Sequence, residues 1–232
     1  MTTSLTTPPL LVFDLDGTLA NTAVDLVATL NALLTHEGLK PIPFKDALAM
    51  VGAGAKALIQ RGLKANDVVV DEKRLDELFS DYIAHYEAHI ADESVLYPGV
   101  IKALDRFEAA GWTFAVCTNK LEASSRLLLT ALGVAGRFKA ICGKDTFSVC
   151  KPDGDALLQT IAKAGGDPRR AVMVGDSRAD IDSAHNAGVP VVAVDFGYTD
   201  MPVDAFEPDR IISSFDELYD AVEELSSVFH VA

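Results

Sequence analysis

The 232-residue sequence predicts an α/β fold, a Rossmann-like doubly wound parallel sheet core carrying an inserted α-helical cap domain. Three observations predict it. From Tyr97 onward, short β-branched runs alternate with amphipathic stretches, which implies a parallel sheet covered on both faces. A lone apolar run near the N-terminus, Leu10-Leu11-Val12-Phe13-Asp14, must join that sheet as a strand buried on both sides. Between the two lies a block with helical periodicity and no convincing strand over residues 21 to 95. The expected division is therefore residues 1–20 with 96–232 as the core and residues 21–95 as the helical cap.

The elements follow in chain order. The opening Met1-to-Pro9 stretch has neither the basic region nor the long apolar segment of a secretory signal and reads as a short frayed tail of a cytoplasmic protein. Strand 10–14 ends in Asp14-Leu15-Asp16-Gly17-Thr18, where Gly17 permits a tight turn. Val24, Leu26, Val27, Leu30, Leu33 and Leu34 then form one broad helical face. Residues 44 to 64 read as short helices broken at Val51-Gly52-Ala53-Gly54, and residues 72 to 90 as a longer helix. The core resumes with helix 100–110, strand 112–116, helix 121–132, strand 139–142 and helix 154–164. Strand 171–174, helix 178–187, strand 190–194 and helix 215–225 complete it.

Composition narrows the function classes. Apolar residues make up 49% and charged residues 23%, a balance ordinary for globular chains, and no apolar run approaches the roughly 20 residues that span a bilayer. The net charge of −14 disfavours nucleic-acid and anionic-membrane partners, which want a basic face. It leaves room for a small phosphorylated metabolite, because a metal and one or two lysines reverse the field locally. Three cysteines without a CxxC pair read as reduced, mostly buried thiols rather than a disulfide or zinc framework.

Open parallel sheets bind ligands at the carboxyl ends of their strands, and four polar clusters fall there: Asp14 with Asp16, Thr118-Asn119-Lys120, Lys151, and Asp176 with Asp180. Each has a bland reading. One aspartate of the first pair, Thr118 or Asn119 caps a helix; Lys151 is solvated; Asp176 and Asp180 serve a helix dipole. The chemical reading is that an ionised aspartate attacks without a general base, provided a hard cation relieves its repulsion from an anionic phosphate. A second carboxylate protonates the departing alkoxide and later activates water. Thr118 and Lys151 supply a hydroxyl and a point charge for phosphoryl oxygens.

Taken together the clusters resemble, in order, the four motifs of the haloacid dehalogenase-like hydrolase superfamily, over essentially the whole chain after the tail. The resemblance implies that Asp14 is the nucleophile, Asp16 the acid/base, Thr118 and Lys151 phosphate ligands, and Asp180 a supporting acid. It implies Mg2+ held by Asp14, Asp176 and the backbone carbonyl of Asp16. The dehalogenase branch lacks an acid two residues after the nucleophile, so Asp16 favours phosphate chemistry. Val51-Gly52-Ala53-Gly54 with Leu58 and Arg61, Leu96-Tyr97-Pro98-Gly99-Val100 and Phe196-Gly197-Tyr198 are similar to the bacterial phosphoglycolate phosphatase branch. Lys151-Pro152-Asp153-Gly154-Asp155-Ala156 departs from it, since relatives usually carry further prolines there. The implied activity is hydrolysis of 2-phosphoglycolate through a phosphoryl-aspartate, by a monomer or homodimer. A phosphatase acting on a sugar phosphate or pyrophosphate is the alternative, and a non-catalytic phosphometabolite-binding module the more distant one.

Two further patterns carry less. Gly52-Ala53-Gly54 follows no strand, so it reads as a hinged cap loop whose N–H groups face a small carboxylate rather than as a dinucleotide loop. Arg61 either assists there or pairs within the cap. His85 and His89 stand four apart without a third ligand and read as ordinary surface or packing residues.

Overall fold

The computed structural model describes residues 7–48, 50–52, 54–199 and 201–227. The expected N-terminal tail thus lies mostly outside the described residues, as does Ala53 of the cap loop. In chain order the elements are β1 (Leu10–Phe13), β2 (Ala20–Asn21), α1 (Ala23–His36), α2 (Phe44–Leu48), α3 (Ala55–Ala65) and α4 (Glu72–Ala88). Then come β3 (Val95–Leu96), α5 (Val100–Ala109), β4 (Thr113–Cys117), α6 (Glu122–Ala131), β5 (Phe138–Cys142) and α7 (Gly154–Lys163). β6 (Ala171–Gly175), α8 (Arg178–Ala187), β7 (Val191–Val194), β8 (Arg210–Ile212) and α9 (Leu218–Ser226) close the chain.

Among the described residues, six strands form one sheet in the order β5-β4-β1-β6-β7-β8, and every pairing is parallel. β1 shows why its sequence is apolar without alternation. Leu11 and Phe13 enter a core beneath α5, α6 and α9, while Leu10 and Val12 enter a second core beneath α7 and α8. Side chains of successive strand residues point to opposite faces, so a central strand covered by helices on both sides needs four apolar residues in a row.

The helices α1, α3 and α4 pack around a third apolar cluster that shares no buried residue with the sheet. Tyr82 in α4 donates its hydroxyl to the Leu26 carbonyl of α1 at 3.1 Å, and the Asn31 side chain brackets the Ile42 backbone with bonds of 2.7 and 2.9 Å. Val24 departs from the expected apolar face and is 40% exposed, because two residues before the buried Leu26 it faces the other side of α1. Among the described residues, no helix is long and apolar enough to cross a membrane.

Two features went unseen in the sequence. β2 and β3 pair antiparallel where the chain leaves and re-enters the sheet region, and the Asp25 carboxylate clamps the same joint by accepting from Glu93 N, Ser94 N and Ser94 Oγ. Two-residue strands have no readable period. β8 was missed for a similar reason: it is a three-residue edge strand whose Arg210 and Ile211 are exposed. The last helix starts at Leu218, since Phe215–Glu217 form a 3-10 turn capped by Ser214. Cys117 and Cys142 are buried as expected, whereas Cys150 is exposed because it lies on the loop before α7.

Candidate active site

The carboxyl ends of β1, β4, β5, β6 and β7 all open on one edge of the sheet, and the loops leaving them meet there. Asp14 extends β1 by donating its N–H to the Val174 carbonyl at 2.9 Å, which fixes its side chain beside the end of β6. Carboxylate oxygens of Asp14, Asp176 and Asp180 all lie within 4.8 Å of one another, and all three residues are buried. Lys151 joins them from the loop before α7. Its ammonium is 2.9 Å from Asp14 Oδ1 and also contacts Asp180 Oδ1. The six residues expected to gather do so, and the gathering spans 166 positions from Asp14 to Asp180.

Asp180 has both oxygens committed. Oδ1 faces Lys151, while Oδ2 accepts from Asp176 N, Ser177 N and Ser177 Oγ at 3.2, 3.0 and 2.6 Å. With Ser177 it forms the capping box of α8, so the helix-start reading is correct for Asp180 and its other oxygen still reaches the cluster. Asp176 is held differently. Thr18 Oγ1 donates to Oδ1 at 2.8 Å and Tyr198 N to Oδ2 at 2.7 Å.

That carboxylate fits only because two glycines flank it. A Cβ built on Gly17 would sit 2.4 Å from Asp176 Oδ2, and one on Gly197 would sit 2.2 Å from Asp176 Cβ. Gly17 also has φ of +84°, but Gly197 has no such constraint, so its substitution isolates the steric effect. Gly197→Ala is expected to push Asp176 out of line, costing about 1–3 kcal/mol as overpacking does. Cation affinity should fall with it, and titration followed by thermal melting would show both losses. An unchanged affinity would mean that the Asp176 position is not critical.

Asp16 turns the other way. Its Oδ1 accepts from Thr22 Oγ1 at 2.7 Å, and Lys120 Nζ stands 2.9 Å from both oxygens. Lys120 was visible in the sequence only as the third member of its cluster, without a role. Thr118 is buried and caps nothing: the N-cap of α6 is Leu121, and Thr118 Oγ1 accepts from Lys120 N at 3.3 Å. Asn119 donates to the Lys151 carbonyl at 3.1 Å and keeps a buried Oδ1 with no partner. The capping alternatives for Thr118 and Asn119 therefore fail.

Above these groups lies a cavity of about 70 Å³, room for a few water-sized spheres and hence for a small ligand. Its floor includes Asp14, Asp16 and Thr118, and its roof is Leu58, Tyr82 and Tyr86 from the helical cluster. Gly52 and Gly54 line it too, with φ of +106° and +86°. A Cβ on Gly52 would sit 2.9 Å from the Tyr198 carbonyl, so the cap loop touches the core loop there. Arg61 makes no ion pair among the described residues; it donates to the Met50 carbonyl at 2.7 Å and so props that loop. His85 and His89 stack on each other at 4.6 Å, with His89 against Asp92.

The electrostatics ask for more positive charge. Burial, opposed by Lys151 and reinforced by Asp180 and Asp16, pushes the Asp14 carboxyl up to about 6. Burial followed by repulsion from Asp180 and Asp14 raises Asp176 well above the carboxylate range. Lys151 is raised as well: burial disfavours its charge, but Asp14 and Asp180 more than offset that and hold the ammonium protonated. Although Lys151 is close, Asp14 Oδ1 is buried with no hydrogen bond of proper geometry. An oxygen-only donor set with one acceptor left unsatisfied suits a hard divalent cation.

Residues 11–194 match the family model described as haloacid dehalogenase-like hydrolase. A protein of Mesorhizobium japonicum called phosphoglycolate phosphatase is 49% identical over 210 residues, covering 90% of this chain and 92% of its own. One of Agrobacterium fabrum with the same name is 46% identical over 222 residues, covering 96% and 95%. The crystal structure of a predicted phosphoglycolate phosphatase from Haemophilus somnus superposes with a TM-score of 0.86 at 30% identity, over 94% of this chain and 99% of that one. On the match over residues 11–194 and the curated relatives at 46–49% identity, this chain belongs to the haloacid dehalogenase-like hydrolase family.

Proposed function

We propose that the chain is a phosphomonoesterase that hydrolyses 2-phosphoglycolate to glycolate and phosphate through a phosphoryl-aspartate on Asp14. One observation carries the reaction type: a buried aspartate with an unsatisfied oxygen faces a lysine and two further acids beside a small cavity. The substrate rests on the relatives named phosphoglycolate phosphatase at 46–49% identity. The setting it implies is cytoplasmic, with a monomer or homodimer acting on a small metabolite.

Mg2+ would be held by the Asp14 and Asp176 carboxylates and the Asp16 carbonyl, and it would supply charge neutralisation for the phosphoryl group. The remaining work falls to side chains. Asp14 attacks phosphorus in line as the bond to the glycolate oxygen breaks, while Thr118 and Lys151 hold the equatorial oxygens. Asp180 keeps the Lys151 ammonium in place. Asp16 gives a proton to the departing glycolate oxygen, with Thr22 on Oδ1 and Lys120 on both oxygens holding the carboxyl in place. Asp16 then takes a proton from water, whose oxygen attacks phosphorus and releases Asp14. The helical cluster, region 21–95, acts as the cap that excludes bulk water and limits substrate size, with Gly52 and Gly54 shaping its loop.

Phosphate release from 2-phosphoglycolate, compared with about a dozen other esters with and without EDTA, tests this reading. The expected result is preferential, Mg2+-dependent release from 2-phosphoglycolate that EDTA abolishes. Preference for a sugar phosphate or pyrophosphate would replace the substrate, and no release from any ester would end the enzyme reading.

A further inference from the structure

Two lysines line the cavity, and only one is committed to an acid. Lys120 is held by both oxygens of Asp16. Lys144, on the loop leaving β5, makes no ion pair among the described residues. Its ammonium rests instead over the ring of Phe79 in α4, 5.2 Å from the centroid. Acids outnumber lysines and arginines 34 to 20 in this chain. A half-buried lysine left unpaired at a cavity wall is where an incoming anion completes the charge balance.

Its position is built rather than incidental. Lys144 N donates to the Lys120 carbonyl at 3.0 Å, and Gly143 N donates to Thr146 Oγ1 at 2.8 Å. Thr146 Oγ1 in turn donates to Glu122 Oε2 at 2.6 Å. The neighbouring Asp145 is turned away, accepting from Glu122 N at 2.8 Å, so it does not neutralise Lys144. A Cβ on Gly143 would fall 2.2 Å from Glu122 N, so the loop is pressed against the start of α6. The cap wall holds a second unspent polar group. Tyr86 is 1% exposed, Lys120 packs 4.4 Å from its ring centroid, and its hydroxyl meets no partner with hydrogen-bond geometry.

We propose that Lys144 is a specificity-determining residue that receives an anionic group on the leaving group, with the Tyr86 hydroxyl as a second donor to it. The inference rests on the phosphatase reading and deepens it: the preferred class is small phosphate esters whose leaving group carries its own carboxylate. With phosphate seated at Asp14, Thr118 and Lys151, the leaving group projects toward the cap. A carboxylate there is repelled by Asp14, Asp16 and Asp176 unless a cation meets it. A neutral leaving group forfeits the Lys144 contact and leaves the Tyr86 hydroxyl unsatisfied, which is how a polar site rejects an analogue lacking its partner.

The test compares kcat and KM for 2-phosphoglycolate and ethyl phosphate in the Mg2+-loaded full chain, as wild type, Lys144→Met, Lys144→Arg and Tyr86→Phe. Wild type is expected to prefer 2-phosphoglycolate. Lys144→Met should cut the ratio of the two kcat/KM values by about tenfold or more, chiefly through KM for 2-phosphoglycolate, as loss of a charged contact does. Lys144→Arg should keep most of the ratio. Tyr86→Phe should lower it without lowering the melting temperature, since the hydroxyl has no partner to lose. An unchanged ratio in Lys144→Met, or an equal loss on both esters, overturns the Lys144 assignment alone. A wild type without preference for 2-phosphoglycolate overturns the substrate reading and this subsite with it.

Discussion

Asp14→Asn is expected to lower kcat on 2-phosphoglycolate by about four orders of magnitude or more, as loss of a covalent nucleophile does, without unfolding the chain. The amide has the shape of the carboxyl it replaces and fits the same buried slot at the end of β1. What it lacks is an anionic oxygen to form the bond to phosphorus. Lys151 keeps Asp180 as a partner, so no buried cation is stranded. The free protein should in fact melt higher in this variant at neutral pH. The folded-state value of Asp14 is raised from 3.8 to about 6, mainly by burial, so the folded form binds the proton more tightly than the unfolded form does. Stability contributed at this site is therefore lost as pH rises from about 4 through 6. The variant lacks that loss, so its melting advantage over wild type should grow across the same window. Mg2+ should stabilise wild type and do much less for the variant. Substantial residual turnover would remove Asp14 from the nucleophile's role.

Lys151→Met is expected to have the largest effect on stability. The Lys151 side chain is 2% exposed and is the cation in contact with Asp14 and Asp180. Removing it strands buried carboxylates beside Asp176, and breaking a buried pair by removing one partner costs about 3–5 kcal/mol. For a chain of this size that is a fall in Tm of roughly 6–20 °C in the free enzyme. Acid should narrow the gap, because Asp14 and Asp176 take up protons and need the ammonium less. Catalysis should fall about a hundredfold or more as well, since a charge aimed at the phosphoryl oxygens is lost. A melting temperature equal to that of wild type at neutral pH would mean that the carboxylates are not balanced by Lys151.

The two variants bear on one design feature. The cluster is assembled with more negative charge than its own lysine balances, which leaves the remainder for a bound cation to offset. The same reasoning explains the glycines at 17 and 197, which leave space against the Asp176 carboxylate and no room for a methyl group.

The sequence by itself determined the fold class and which residues gather at the candidate site. β1, β6 and β7 are short and buried throughout, so their apolar runs were legible, and the helices showed through their spacing. Asp14, Asp16, Thr118, Lys151, Asp176 and Asp180 were legible because each lies at or near a strand's end or helix start, where residue type and local turn chemistry are linked. Only the tertiary structure decided the strand order, the β2–β3 joint, the edge strand β8 and the partners within the site. Lys120 meets Asp16 across 104 positions, Thr18 meets Asp176 across 158, and Lys144 meets Phe79 from another element altogether. Local periodicity records how a segment faces its core. It holds no trace of which distant segment will supply the opposing charge, because that is settled by packing the sheet and the helical cluster together.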